Sequence, residues 1–261
     1  MTLPLWAFPA HPVVRRELWL WRKATRQLWI SFLFFPLCCS SLFAMTSRDP
    51  ASDFRPALTF GLWGWGGFLS MWLGVLATSR AMSLIARERE TQNWELLRLT
   101  AFDVREIMAA KVAAVLYWLR WPIALVLVLR LLSVVAGLAD VSSSIGVSGL
   151  IAGMLFIAIF CFELIVSILY NCAVGLLASA FSRTIAAANA VVYPLHFSLL
   201  LFIFVPVLSR PVPRLFEHFV WSNYQELITT GIYLYSALIL TQIVTAAVMF
   251  FIAYVWARRF V

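Results

Sequence analysis

Residues able to do chemistry are unevenly spread along this chain. The densest group is Arg87-Glu88-Arg89-Glu90-Thr91, inside a stretch, 80–111, that reads RAMSLIARERETQNWELLRLTAFDVREIMAAK. Mixed charge at helical spacing suits a docking surface rather than bond cleavage. Three further ionisable groups interrupt apolar sequence: Arg120 and Arg130 within 112–139, and Glu163 within 141–182. A charge facing lipid costs several kcal/mol, so each needs a partner or a role. At the rise of a helix, Arg120 lies ~13 Å beyond Lys111 and Arg130 ~28 Å. Glu163 falls in the inner half of its run, so depth favours pairing it with Arg120. The expectation is an intramembrane Arg120–Glu163 ion pair that locks two helices. A substrate or proton site is the functional alternative.

Material for catalysis is missing. His11, His196 and His218 are far apart, and no HExxH or other metal pattern occurs. Cys38, Cys39, Cys161 and Cys172 all fall inside apolar runs without metal-ligand spacing. They read as small buried apolar residues. No G-x-x-x-x-G-K-[ST] phosphate loop occurs. The glycines at 61, 64, 66 and 67 carry no Lys or Ser/Thr at phosphate spacing. They read as helix-packing positions or a flexible point. No catalytic residue, metal ligand or cofactor site is expected on this chain.

The elements that carry these residues follow from composition. Of 261 residues, 63% are apolar and only 12% charged, with 12 tryptophans. Soluble domains carry about 25% charged residues. Mean hydropathy is +0.91. These figures exclude a soluble globular domain and a disordered chain. Long continuous apolar runs, rather than ~10-residue alternating segments, exclude a β-barrel. The expected fold is an all-α polytopic membrane protein forming a single transmembrane domain, 1–261. A crossing helix needs ~20 apolar residues. Four uncharged windows, with two apolar runs interrupted by Arg120 and Arg130 and by Glu163, place six spans at 28–45, 57–79, 113–138, 149–180, 185–208 and 231–256. The first long apolar run starts at Leu28, too late for a secretory signal peptide.

Charge gives the orientation. There are 20 Lys+Arg against 12 Asp+Glu, a net charge of +8. Basic residues orient loops toward the cytoplasm, and that reading stands above nucleic-acid binding. Fourteen basic residues lie in 1–27, the 80–111 loop, the connection at Arg183 and the C-terminus, and four lie on the other side. Both termini and the 80–111 loop are therefore expected in the cytoplasm of a cell (inner or plasma) membrane.

Segment 1–27 contains an amphipathic pattern over 12–27: Val13, Val14, Leu18 and Trp21 against Arg15, Arg16, Arg22, Lys23 and Arg26. Such a helix lies in the membrane interface. The 80–111 loop divides into three helical pieces. One continues the second span to Glu90. A second runs from Thr91, a fitting N-cap, to Leu99. The third starts at Asp103, where Asp103 and Glu106 fit a capping box. A short helix with an apolar centre and charged rim can dock in a groove of a cytoplasmic partner and lever two spans at once.

Several residues here resemble a known family. Ile85-Ala86-Arg87-Glu88-Arg89-Glu90-Thr91, Trp94-Glu95-Leu96-Leu97, Leu99-Thr100, Arg105-Glu106-Ile107 and Lys111 are similar to the pattern of type-2 ABC transporter permeases, the membrane subunits of ABC exporters. Ala173 to Phe181 with Arg183 and Ala186 to Ala190, and Pro12 to Leu18, also resemble that family. The chain departs from it at Glu90 and Ala101, where Gly and Pro are usual. The resemblance implies that the 80–111 loop is a coupling helix between spans 2 and 3. It implies an ABC ATPase subunit as partner, contacted through Arg87, Glu88, Arg89, Glu90, Thr91, Trp94, Glu95 and Leu97, with ATP and magnesium held on that partner. It implies pairing with a second permease subunit, as a homodimer or with a related chain. Spans 2 and 5 would line the pathway with Phe60, Trp63, Trp65, Phe68, Met71, Phe197, Leu200 and Phe204, an apolar surface that suits a hydrophobic or amphipathic substrate. A secondary transporter would show paired broken helices, which are not evident. A non-transport scaffold subunit is the remaining alternative.

The topology predicts that a cysteine at Asp53 is modified by a membrane-impermeant reagent from outside intact cells. Labelling only after the cytoplasmic face is opened would overturn the orientation.

Overall fold

The computed structural model describes residues 11–21, 54–94, 103–141, 147–199 and 224–259. These residues are helical nearly throughout. Helix α1 covers 12–21. It is followed by α2 (Phe54–Ala81), α3 (Ser83–Glu90), α4 (Val104–Val141), α5 (Val147–Phe181), α6 (Ile185–Leu199) and α7 (Tyr224–Arg259). Four stretches are long and apolar enough to cross a bilayer: Leu69–Glu90, Val104–Leu132, Ile151–Phe181 and Thr229–Arg258. Residues 185–199 form a shorter apolar helix. The chain is a multi-pass helical membrane protein. The expected first span, 28–45, and the end of the fifth, 200–208, lie outside the described residues.

The chain divides into two compact units, one made of 1–73 and 109–140, the other of 74–108 and 141–261. In the first, α1 buries Val13, Val14, Glu17 and Trp21, which share one helical face. Arg15 and Arg16 are exposed. So are Trp19, at 71%, and Leu20. The sequence pattern set Leu18 on the buried stripe. The structure leaves Leu18 half-buried and turns Glu17 inward instead. The reason lies 94 residues away: Lys111 Nζ sits 2.6 Å from Glu17 Oε1, with both side chains essentially inaccessible. Trp21 packs edge-on against Trp118, ring centroids 5.9 Å apart.

Arg130 is also buried in this unit. Its Nε and Nη2 donate to Ser70 Oγ at 3.1 and 2.8 Å, and its aliphatic stem passes over Gly66. Arg120 behaves differently. It is exposed, donates to Tyr117 O at 3.2 Å, and lies over the Tyr117 ring at 3.9 Å. Its charge is thus held along its own helix, on aromatic faces.

In the second unit, α5 and α7 pack along their lengths. Phe156 and Phe160 meet Tyr235, and Phe181 meets Trp256. Both contacts advance in the same direction along the two helices, so α5 and α7 run parallel. Gly231 makes room for the Phe156 ring, which an added Cβ would meet at 2.8 Å.

The buried pair at α1 yields a stability prediction. Lys111→Met leaves the Glu17 carboxylate without its cation and should destabilise the protein by roughly 3–5 kcal/mol, whereas Lys111→Met with Glu17→Leu should recover most of that loss. Thermal unfolding in detergent measures both.

Candidate functional site

The cytoplasmic corner expected from sequence is built by α3, the C-terminus of α5 and the N-terminus of α6. It begins with a close crossing of α2 and α5. Gly175 makes the crossing possible: a Cβ there would lie 2.6 Å from Thr78 O and 2.7 Å from Ala81 Cβ. The backbone oxygen cannot move aside, so the position requires glycine. One turn earlier, Thr78 Oγ1 donates to Asn171, whose Oδ1 is 3.0 Å away and whose backbone O is 3.2 Å away. Asn171 Nδ2 in turn donates to Ser167 O at 2.7 Å.

After Met82 the chain turns and α3 begins. Met82, at the N-cap, makes no side-chain capping bond. The free N–H groups of the first turn find their acceptor in another helix. Ile85 N and Ala86 N both donate to Ser179 Oγ, at 2.9 and 2.8 Å, and Ser179 is fully buried. A residue of α5 therefore caps α3, satisfying two donors that would otherwise be buried without partners.

The far end of α3 matches the dipoles of the α5–α6 joint. Arg89 Nη1 donates to Ala180 O at 2.6 Å and Ser182 O at 3.4 Å, at the carbonyl end of α5. Glu90 Oε2 accepts from Ile185 N at 3.3 Å, the first residue of α6. A cation at a helix C-terminus and an anion at a helix N-terminus are each the favourable choice. Thr184 caps α6 through Ala187 N, 3.2 Å from its Oγ1.

Beyond Glu90 the chain makes a tight tip. Thr91 was expected to begin a helix; in the structure it ends one. Its N and Oγ1 both donate to Arg87 O, at 3.0 and 2.9 Å. Gln92 N bonds Arg89 O, and Gln92 takes φ 59°, the left-handed region. Helical backbone resumes at Asn93. Asp103 immediately precedes α4, the N-cap place that its sequence predicted.

The residues expected at a partner contact divide sharply. Glu90 and Thr91 are exposed, together with Gln92, while Arg87 and Arg89 are half-buried. Glu88 is 1% exposed, because Leu84, Ile85 and Glu88 share the inward face of α3. Trp94, one of the contacts that the resemblance implies, is 4% exposed, and its Nε1 has no hydrogen-bond partner among the described residues. Glu95 and Leu97 lie outside the described residues.

Of the expected pathway residues, Met71 and Phe197 are 62% and 63% exposed, each in its own unit. Phe60, Trp63, Trp65 and Phe68 lie on the backbone of α2, with side chains outside the description, and Leu200 and Phe204 lie outside the described residues. Glu163 is buried in α5. The pair expected with Arg120 would join the two units, and each residue is described within its own. Sequence reasoning missed Ser179, Asn171 and Gly175 as positioning residues. Their spacing of four along one apolar helix was the available signal. No group of three or more potential metal ligands occurs among the described residues.

Comparison with protein-family models, curated proteins and solved structures finds no match.

Ser179→Ala removes the acceptor of two buried N–H groups. It should lower stability by about 1–3 kcal/mol and raise proteolysis within 91–103 ahead of the rest of the chain. Limited proteolysis in detergent reads this out; uniform cleavage would refute the local role.

Proposed function

We propose that this chain is the membrane-spanning subunit of an ATP-driven exporter, coupled to a separate ATPase subunit through the tip at Glu90–Trp94. One observation carries the reading. The two stretches whose residues resemble the type-2 ABC permease pattern, 85–91 and 173–190, are far apart in sequence yet meet at one corner through Ser179, Arg89 and Glu90. A corner so fully bonded moves as a piece. Its exposed tip offers Glu90, Thr91 and Gln92 to a partner. Behind the tip, α3 is continuous in chain with α2 and bonded to the joint of α5 and α6. A displacement of the tip is thereby delivered to several membrane helices at once.

In this reading ATP and magnesium belong to the partner ATPase, which supplies the energy. A second permease subunit completes the transporter. The exposed faces of Tyr193 and Phe197 on α6 suit either that subunit or lipid. The apolar character of spans 2 and 5 in the sequence suits a hydrophobic or amphipathic substrate. The basic asymmetry sets the corner, both termini and the tip on the cytoplasmic side of the cell membrane.

The left-handed residue offers a clean test. Proline cannot take a positive φ and cannot donate the bond from Gln92 N to Arg89 O. Gln92→Pro should therefore disrupt the tip while leaving the membrane helices intact. Copurification of the ATPase subunit should fall by roughly tenfold or more, as for loss of an interface hot spot. Gln92→Gly, which favours the same turn, should retain it. Undiminished recovery with Gln92→Pro would refute coupling through this tip and favour a scaffold role.

A further inference from the structure

Where α5 and α7 end together, an aromatic layer gives way to arginines. Phe181 is 43% exposed and packs on Trp256 with ring centroids 4.5 Å apart. The guanidinium of Arg105 lies 4.7 Å over the Tyr254 ring. Aromatic rings of this kind concentrate at the headgroup level of a bilayer. Two residues past Phe181 stands Arg183, and two past Trp256 stands Arg258; both are exposed, and neither has an acidic partner among the described residues. Arg183 is close enough to Arg89 for its charge to act on it. Two like charges are thus gathered at one corner, where a shared anion would relieve their repulsion.

Between them lies Ser182. It is 3% exposed, and its hydroxyl makes no hydrogen bond among the described residues. Buried hydroxyls without partners are rare, and each calls for an explanation. Two acids stand at this corner: Glu88, buried on the inward face of α3, and Glu90, whose Oε2 accepts from Ile185 N.

We propose that the α5–α6 corner binds the phosphodiester of an anionic phospholipid, with Arg183 as its main cation and the Ser182 hydroxyl as a hydrogen-bond donor. The exposed Phe181 ring faces the start of the acyl chains. Arg89, fixed on the carbonyl end of α5, contributes positive charge from the inner side. Basic pockets between membrane helices on the cytoplasmic side are recognised lipid-headgroup sites. The aromatic layer beside this one favours a lipid over a soluble anion. The inference requires only membrane insertion, so it stands or falls independently of ATPase coupling.

The test uses the full chain, delipidated in neutral detergent and read by native mass spectrometry. The probes are dioleoyl phosphatidylglycerol, dioleoyl phosphatidylcholine and inorganic phosphate. Wild type should bind phosphatidylglycerol in preference to phosphatidylcholine, and inorganic phosphate should not displace it. Arg183→Gln should weaken phosphatidylglycerol binding about fivefold, the usual effect of one surface arginine, and Arg183→Lys should restore most of it. Should Arg183→Gln fail to fold, rising salt applied to wild type must erode the preference. Equal binding of the two lipids, unchanged affinity in Arg183→Gln, or a salt-insensitive preference would overturn the site. Displacement by inorganic phosphate would overturn the lipid assignment.

Discussion

The hydroxyl of Ser179 accepts two backbone N–H groups from a different helix, and the corner of the molecule depends on that bond. Helix α3 has only eight residues and lacks a side-chain cap of its own. Isolated helices of that length are marginal in water. Near a bilayer, where unpaired backbone donors are most costly, it exists because α5 finishes it. The same dependence explains Gly175. Only without a Cβ there can α5 approach the end of α2 closely enough to bring Ser179 under the first turn of α3.

Charge inside the apolar helices is settled by three different means. Glu17 and Lys111 neutralise one another out of water. Arg130 is buried and donates twice to the Ser70 hydroxyl. Arg120 stays exposed and lies over aromatic rings of its own helix. The choice follows geometry. A buried ion pair recovers its desolvation cost only with short, well-directed contact, and a separation of 2.6 Å meets that condition. Arg120 has Tyr117 three residues earlier and Trp121 beside it, so snorkelling along the helix is available at little cost.

The fold was legible where it depended on run length alone. The windows 57–79, 113–138, 149–180 and 231–256 fall within α2, α4, α5 and α7, because twenty apolar residues in sequence leave few alternatives. The charged string at 87–91 and the run at 173–190 are visible in the sequence, but their meeting through Ser179, Arg89 and Glu90 is not. What was not legible was non-local. Leu18 fitted the apolar stripe of α1 by spacing, but Lys111 drew Glu17 into that place. Thr91 fitted an N-cap by residue type, but a cap is defined by which carbonyls and amides are free. Here Thr91 N and Oγ1 both turn back to the Arg87 carbonyl, which closes a helix rather than opening one. Trp94 stands among the partner contacts that the resemblance implies, yet it is buried. No local rule says whether such a residue turns outward or inward.

The departure at Glu90 can be understood in the same terms. Where the resembling pattern has glycine, this chain has a carboxylate held by the N-terminus of α6. A residue tied in that way must remain the last turn of α3 and cannot itself reverse the chain. The reversal passes to Gln92, which adopts φ 59° although it is not glycine. Such a conformation costs on the order of 1–2 kcal/mol and persists only when its surroundings over-determine it. The surroundings here are Thr91, bonded back to Arg87, and the bond from Gln92 N itself to Arg89 O. The strain is thus concentrated at the most exposed point of the corner and held by contacts from behind. Strain of this kind gathers at sites where the surrounding structure over-determines one shape, and a fixed shape is what the proposed docking of this tip requires.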